Sequence, residues 1–297
     1  MQNKIKTSFS IKDLENLSGI KAHTIRIWEK RYNFLRPERT DTNIRSYNVS
    51  DLKRLLNISY LNNQGEKISK IASLNNSDIN SKVNELILAQ GFNDHAHNMF
   101  KLSMLNFDKA LFDSTYNRLL TEMSFTELFT TVISGFLNEI GLLWQTNTLI
   151  AIHEHFISDL IKQKIFLNIE KTQNLNTAEG KTYVLFLPDN EIHEIGLLFV
   201  YSELIKRGFN AIYLGQSVPI DSLVGMQDVF AEVEFISYFT VSPVLVDVDD
   251  YLVEMQDKIL NKRGEKLNIL GRNAILQEVK NENIIVHDSL GNLLETL

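Results

Sequence analysis

Tyr183-Val184-Leu185-Phe186-Leu187 leads through a short loop into Glu191-Ile192-His193-Glu194-Ile195-Gly196, and Leu197-Leu198-Phe199-Val200 follows with a helical pattern. An apolar run, a polar loop and an apolar helix describe the first strand, turn and helix of an open α/β sheet. Such sheets hold their ligands outside the carboxyl ends of the strands. His193 stands at that position and is the leading candidate for a functional residue. Gly196 would let the backbone approach a bulky group closely. On the residues alone, the alternative is a histidine on a solvated loop at a helix N-terminus.

The pattern extends outward from this stretch. Apolar runs at 183–187, 211–214, 235–241, 267–270 and 284–287 alternate with helical segments, which predicts a Rossmann-like, doubly wound parallel sheet over 173–297. The polar string 173–180 reads as the linker in front of it. Ligand groups should gather where the strands end, at His193, Gly215-Gln216-Ser217, Ser237 to Thr240 and Gly271.

Before the sheet, apolar residues recur at helical spacing from Val83 to Leu143, and a last helix is expected over about 149–170. No proline falls between Leu74 and Thr182, so 76–172 is predicted to be a helical bundle. Its breaks are expected at Asn106, Ser124 and the turn 145–148. Trp144 reads as a bundle aromatic, His155 as a partly exposed helix residue and His153 as solvated.

The first 75 residues differ in charge from all that follows. They hold 14 Lys and Arg against 7 Asp and Glu, a balance of +7, while the remainder carries −14 of the net −7. A basic module of this kind most often meets phosphate. Ser10-Ile11-Lys12-Asp13 is a capping-box signature, Ser18-Gly19-Ile20 a tight turn, and 22–32 a second helix, together a helix-turn-helix. A hairpin wing should follow over 35–47, then a helix capped by Ser50, a short helix over 67–74 and a polar linker over 73–80. Thr24-Ile25-Arg26-Ile27-Trp28-Glu29-Lys30-Arg31-Tyr32, Arg45-Ser46-Tyr47 and Asp51-Leu52-Lys53-Arg54-Leu55 resemble the winged-helix DNA-binding domain of MerR-type regulators. The resemblance implies a double-stranded DNA operator. His23, Thr24 and Arg26 would contact bases, with Lys30 and Arg31 on the same helix, while Arg39, Asn43, Arg45 and Tyr47 of the wing would hold the backbone.

Composition bounds the rest. At 297 residues there is room for two or three domains at roughly 100–200 residues each, and 44% hydrophobic with 23% charged residues is globular. Cysteine is absent, which removes thiolate nucleophiles and thiolate metal sites. No apolar run reaches membrane-spanning length and the start lacks a signal-peptide core, so a cytoplasmic protein without a membrane partner is expected.

Glu191-x-His193-x-x-Gly196 resembles the signature of cobalamin-binding domains, and Trp144, nine residues, then Glu154-His155 is similar to the bundle that caps cobalamin in the light-responsive MerR-type repressors. The resemblance implies adenosylcobalamin as cofactor, with His193 on cobalt, Glu191 orienting it, and Trp144, Glu154 and His155 over the other face. Ser237 and Gly271 match positions beside the nucleotide tail. It also implies a homo-oligomer, dimer or tetramer, whose assembly controls repression. Three departures stand out: glutamate replaces the usual aspartate at 191, Arg272 breaks a glycine pair, and Gln145 occupies the place of a histidine that captures cobalt after photolysis. An amide is a poor cobalt ligand, so the light response stays open. Two alternatives remain. One is a MerR-type regulator without corrinoid, controlled by a protein partner. The other is a cobalamin enzyme, disfavoured because a barrel for its substrate takes about 250 residues.

Overall fold

The computed structural model describes residues 8–39, 43–90, 93–173, 180–244, 247–261, 264–275 and 282–297. It forms two compact units, Met1–Leu160 and Ile161–Leu297. The expected wing tip at 40–42 and most of the second linker, 174–179, lie outside the described residues. Among the described residues no helix is long and apolar enough to cross a membrane.

In the first unit α1 (Ile11–Ser18) starts at the predicted capping box, where Ser10 accepts from the Asp13 backbone and Asp13 accepts from that of Ser10. Next comes α2 (Ala22–Tyr32), followed by a two-stranded antiparallel wing, β1 (Glu38–Arg39) with β2 (Arg45–Ser46). Phe9 and Tyr47 bridge the start of the chain to the wing. The following helix, α3 (Val49–Asn63), is capped by Asn48 rather than Ser50. Asp51 sits three residues after Asn48 and returns a bond to its backbone, which makes Asn48 the cap with the complete box. After α4 (Ile68–Ala72), α5 (Asn76–Gln90) begins inside the stretch read as linker. Asn75 accepts from the Asp78 backbone and so starts a helix where polarity alone suggested a loop.

The bundle continues with α6 (Asn93–Asn106), α7 (Lys109–Leu119) and α8 (Phe125–Glu127); the break expected at Ser124 is the cap of α8. A π-helical stretch, Leu128–Ile133, joins α8 to α9 (Ser134–Gln145). The last helix, α10 (Ala151–Thr172), crosses the boundary between the units. Phe100 packs 5.3 Å from Phe112 and 5.4 Å from Phe136, ring centre to ring centre, at the heart of the bundle.

The second unit holds β3 (Lys181–Phe186), α11 (Ile195–Lys206), β4 (Asn210–Gly215), α12 (Met226–Val229), β5 (Glu232–Tyr238), α13 (Val248–Met255), β6 (Lys266–Leu270), α14 (Arg272–Ile275), β7 (Ile284–Val286) and α15 (Leu290–Thr296). The strands form one parallel sheet in the order β4-β3-β5-β6-β7. One face buries Val184, Phe186, Phe235, Leu267 and Ile269 against Val248, Leu252, Met255 and Ile259, and α11 packs on β3, β4 and β5 together with α15. Both faces are covered, which explains the near-continuous apolar strands. The chain leaves β3 toward β4 on one side and later adds β5 on the other, so the switch point lies between β3 and β5, where sheets of this order bind ligands.

Candidate functional site

Glu191 follows β3 at this switch point and is fully buried. One carboxylate oxygen accepts from the His193 ring at Nδ1, 2.5 Å away, and from the backbone N–H groups of Ile192 and His193 at 2.9 and 3.0 Å. The other accepts from the N–H groups of Thr240, Val241 and Ser242, after β5, at 3.1, 2.6 and 2.9 Å. Burial alone would raise the pKa of this carboxyl. The bonds from His193 and from the backbone of Val241, Ser242 and His193 outweigh it and hold the pKa at about 2. Glu191 is therefore an anion clamped between the two loops of the switch point. Its clamp commits Nδ1 to Glu191 and holds the imidazole in one orientation, and the His193 side chain is 40% exposed. This is the donor arrangement that a single-histidine metal ligand requires, and glutamate performs it here as an aspartate would.

The neighbouring expected residues have protein partners of their own. A Cβ on Gly196 would stand 2.7 Å from the Tyr238 ring, so the close approach this glycine permits is to that tyrosine. Gly271 has φ +99° and a Cβ there would meet the Phe239 carbonyl oxygen at 2.4 Å, which excludes any side chain where β6 ends against β5. Ser237 is buried and donates to the Phe186 carbonyl at 2.9 Å. Arg272 opens α14 and is exposed. Ser217 ties the rim together, donating to Asp189 and accepting from the Asn190 backbone. Sequence reasoning placed Thr240 on the rim but missed the role of the 240–242 backbone, whose N–H groups leave no trace in side-chain identity.

In the first unit Trp144 is 46% exposed near the end of α9, which rules out the core role open to a bundle aromatic. Glu154 is half-buried and His155 exposed on α10. His153 is buried beside Phe107, ring centres 5.1 Å apart, where solvation was expected.

The DNA-reading expectation divides in the same way. On α2, His23, Arg26, Lys30 and Arg31 are exposed, Thr24 is half-buried, and Ile25 is buried while Trp28 meets Phe34 edge-on. On the wing, Arg39 and Asn43 are exposed and bonded to each other at 2.6 Å. Arg45 instead holds both carboxylate oxygens of Glu29, at 3.0 and 3.1 Å. Tyr47 is 1% exposed and donates to the same Glu29, so it braces the wing against α2 from inside.

Comparison with known proteins meets these sites from outside. Residues 9–77 match the MerR HTH family regulatory protein model, and residues 96–167 match the B12 binding domain. The chain is 26% identical over 288 residues to the HTH-type transcriptional repressor CarH of Myxococcus xanthus, covering 94% of each. It is 33% identical over 76 residues to the HTH-type transcriptional regulator MlrA of Salmonella typhimurium, spanning 26% of this chain and 31% of that one. Among solved structures, a monomethylamine corrinoid protein from Methanosarcina barkeri shares the fold, with a TM-score of 0.52 at 13% identity over 69% of this chain and 97% of its own.

Proposed function

We propose that this chain, a MerR-type helix-turn-helix protein carrying a B12-binding domain, is a cytoplasmic, non-enzymatic transcriptional repressor whose hold on an operator is set by bound adenosylcobalamin. The observation that carries the reading is the Glu191 clamp on His193 at the switch point of the sheet. His193 would hold the cobalt through its imidazole. Glu191 keeps that ring in one orientation and one tautomer, while Gly196 and Gly271 let Tyr238 and the end of β5 pack closely beside the site. From the first unit we assign Trp144, Glu154 and His155 to the cofactor, because an exposed tryptophan offers a large apolar face to a partly apolar ligand.

Bound adenosylcobalamin supplies a cobalt–carbon bond that visible light can break. Gln145 offers an amide where an imidazole would be a better ligand, so the dark form is the regulating state in this reading. A ligand shifts a protein between two states only by binding one of them more tightly. The states proposed here are assemblies of different copy number, dimer or tetramer against single copies, which present α2 to DNA at different spacings.

The test is an absorption spectrum of the full-length protein after dark incubation with adenosylcobalamin and desalting, beside His193→Ala and Trp144→Ala variants. Wild type should retain corrinoid, and His193→Ala should lose it or show the spectrum of a cobalt without imidazole. Failure of the wild type to retain adenosyl-, methyl- or hydroxocobalamin would replace this reading with a regulator governed by a protein partner.

A further inference from the structure

The exposed stripe of α2 contains a residue whose chemistry differs from its neighbours. Residues 23, 26, 27 and 30 recur three and four apart and share one face of the helix. Three of them, His23, Arg26 and Lys30, are exposed polar or basic side chains. The fourth is Ile27, 54% exposed at the centre of the stripe. The packing needs of α2 are met elsewhere, by Ile25, which is buried, and by Trp28 and Tyr32 against Phe34. Ile27 thus leaves more than half of its surface open and exposes a branched hydrocarbon in the first two turns of the helix that helix-turn-helix proteins lay in the major groove.

The major groove has one apolar landmark, the 5-methyl group of thymine. We propose that Ile27 is a specificity-determining residue that packs on a thymine methyl of the operator, while the flanking basic side chains supply the charge. The inference rests on α2 being the DNA-reading helix. Arg26 and Lys30, on either side, favour a polyanion as the occupant of this face over an apolar protein surface. A surface of like charge, such as a second copy of α2, would be repelled.

The experiment selects binding duplexes from a random pool with the full-length protein, with and without adenosylcobalamin, and then replaces each thymine of the recovered site by deoxyuridine. That exchange removes one methyl and keeps the base pair. At the contacted position wild type should lose about fourfold in affinity, the ratio equivalent to about 0.8 kcal/mol for one buried methyl group. Ile27→Ala should bind the thymine and deoxyuridine duplexes equally, and Ile27→Leu should keep the discrimination. Recovery of a specific site at which wild type tolerates every deoxyuridine, or at which Ile27→Ala shows the same losses, overturns the role of Ile27 and leaves the DNA-binding function intact. Recovery of no preferred sequence overturns the inference and the operator reading together.

Discussion

Glu191 decides the chemistry of its site through its charge. Folding lowers its pKa from the ordinary 4.5 to about 2, so the ionised carboxylate adds stability that is complete above about pH 4.5 and is lost as pH falls through about 2. The difference is equivalent to roughly 3 kcal/mol. Glu191→Gln turns an acceptor-only group into one with two donors, and some of the five backbone N–H groups around it are left without an acceptor. The variant should be less stable by about 3 kcal/mol at pH 7, since each orphaned buried donor costs about 1–3 kcal/mol. Its urea midpoint should also fall less steeply than wild type between pH 4.5 and 2, and parallel pH profiles would refute the clamp. The partnership with His193 was legible because the two residues lie two apart after an apolar strand. The backbone contacts were not, since Thr240 to Ser242 stand 49 to 51 positions away and offer groups every residue has. Ser237 and Gly271 stand at the ends of β5 and β6, and each has a contact within the sheet. A sequence places a hydroxyl at a strand end without saying which way its hydrogen bond turns.

Among the elements, α1, α6 and α9 meet through one buried lysine. Lys101 on α6 is 4% exposed, and its ammonium donates to the Leu17 carbonyl in the last turn of α1 at 3.1 Å and to Glu139 on α9 at 2.8 Å. The cation thus serves the carbonyl end of the first helix of the helix-turn-helix while neutralising a carboxylate one and a half turns before Trp144. Burial would raise the Glu139 pKa, but His97 and Lys101 together hold it at about 2. His97 reaches further, to the Val132 carbonyl at 2.9 Å inside the π-helical stretch, a widened turn that leaves carbonyls available. Lys101→Met keeps the apolar stem and strands the carboxylate, so the first unit should lose about 2–3 kcal/mol, below the about 3–5 kcal/mol of a fully buried pair because Glu139 keeps some contact with water. In a double-mutant cycle with Glu139→Gln the losses should fall short of additive by at least about 1 kcal/mol, and additivity within about 0.5 kcal/mol would mean the pair does not act as a unit. Helix starts such as Ser10 were readable from a local capping box. The start of α3 went to Asn48 instead of Ser50 because two capping residues competed, and the π-helical stretch carries no periodic signal in its sequence. The helical start at Asn76 was hidden by residues equally at home in loops.

For the whole molecule, the charge division is the property a sequence states most directly, and it constrains the mechanism. A +7 module attached to a −14 remainder binds DNA as a basic patch joined to a body that the same DNA repels, so a single copy holds a duplex weakly at physiological salt. Joining copies converts the second binding event into an intramolecular one and raises affinity without new contacts. If adenosylcobalamin favours the joined state, linkage makes the effect mutual: the factor by which cofactor tightens operator binding must equal the factor by which operator tightens cofactor binding. Both can be measured on the full-length protein in the dark, one by titrating duplex with and without cofactor, the other by equilibrium dialysis of cofactor with and without duplex. The expected factor lies in the range of about 5–150-fold usual for such coupling, and sedimentation should show copy number rising with cofactor in the same samples. A factor of one in both titrations, with corrinoid still retained, would separate the two functions and leave cobalamin as a structural component of a repressor that answers to another signal.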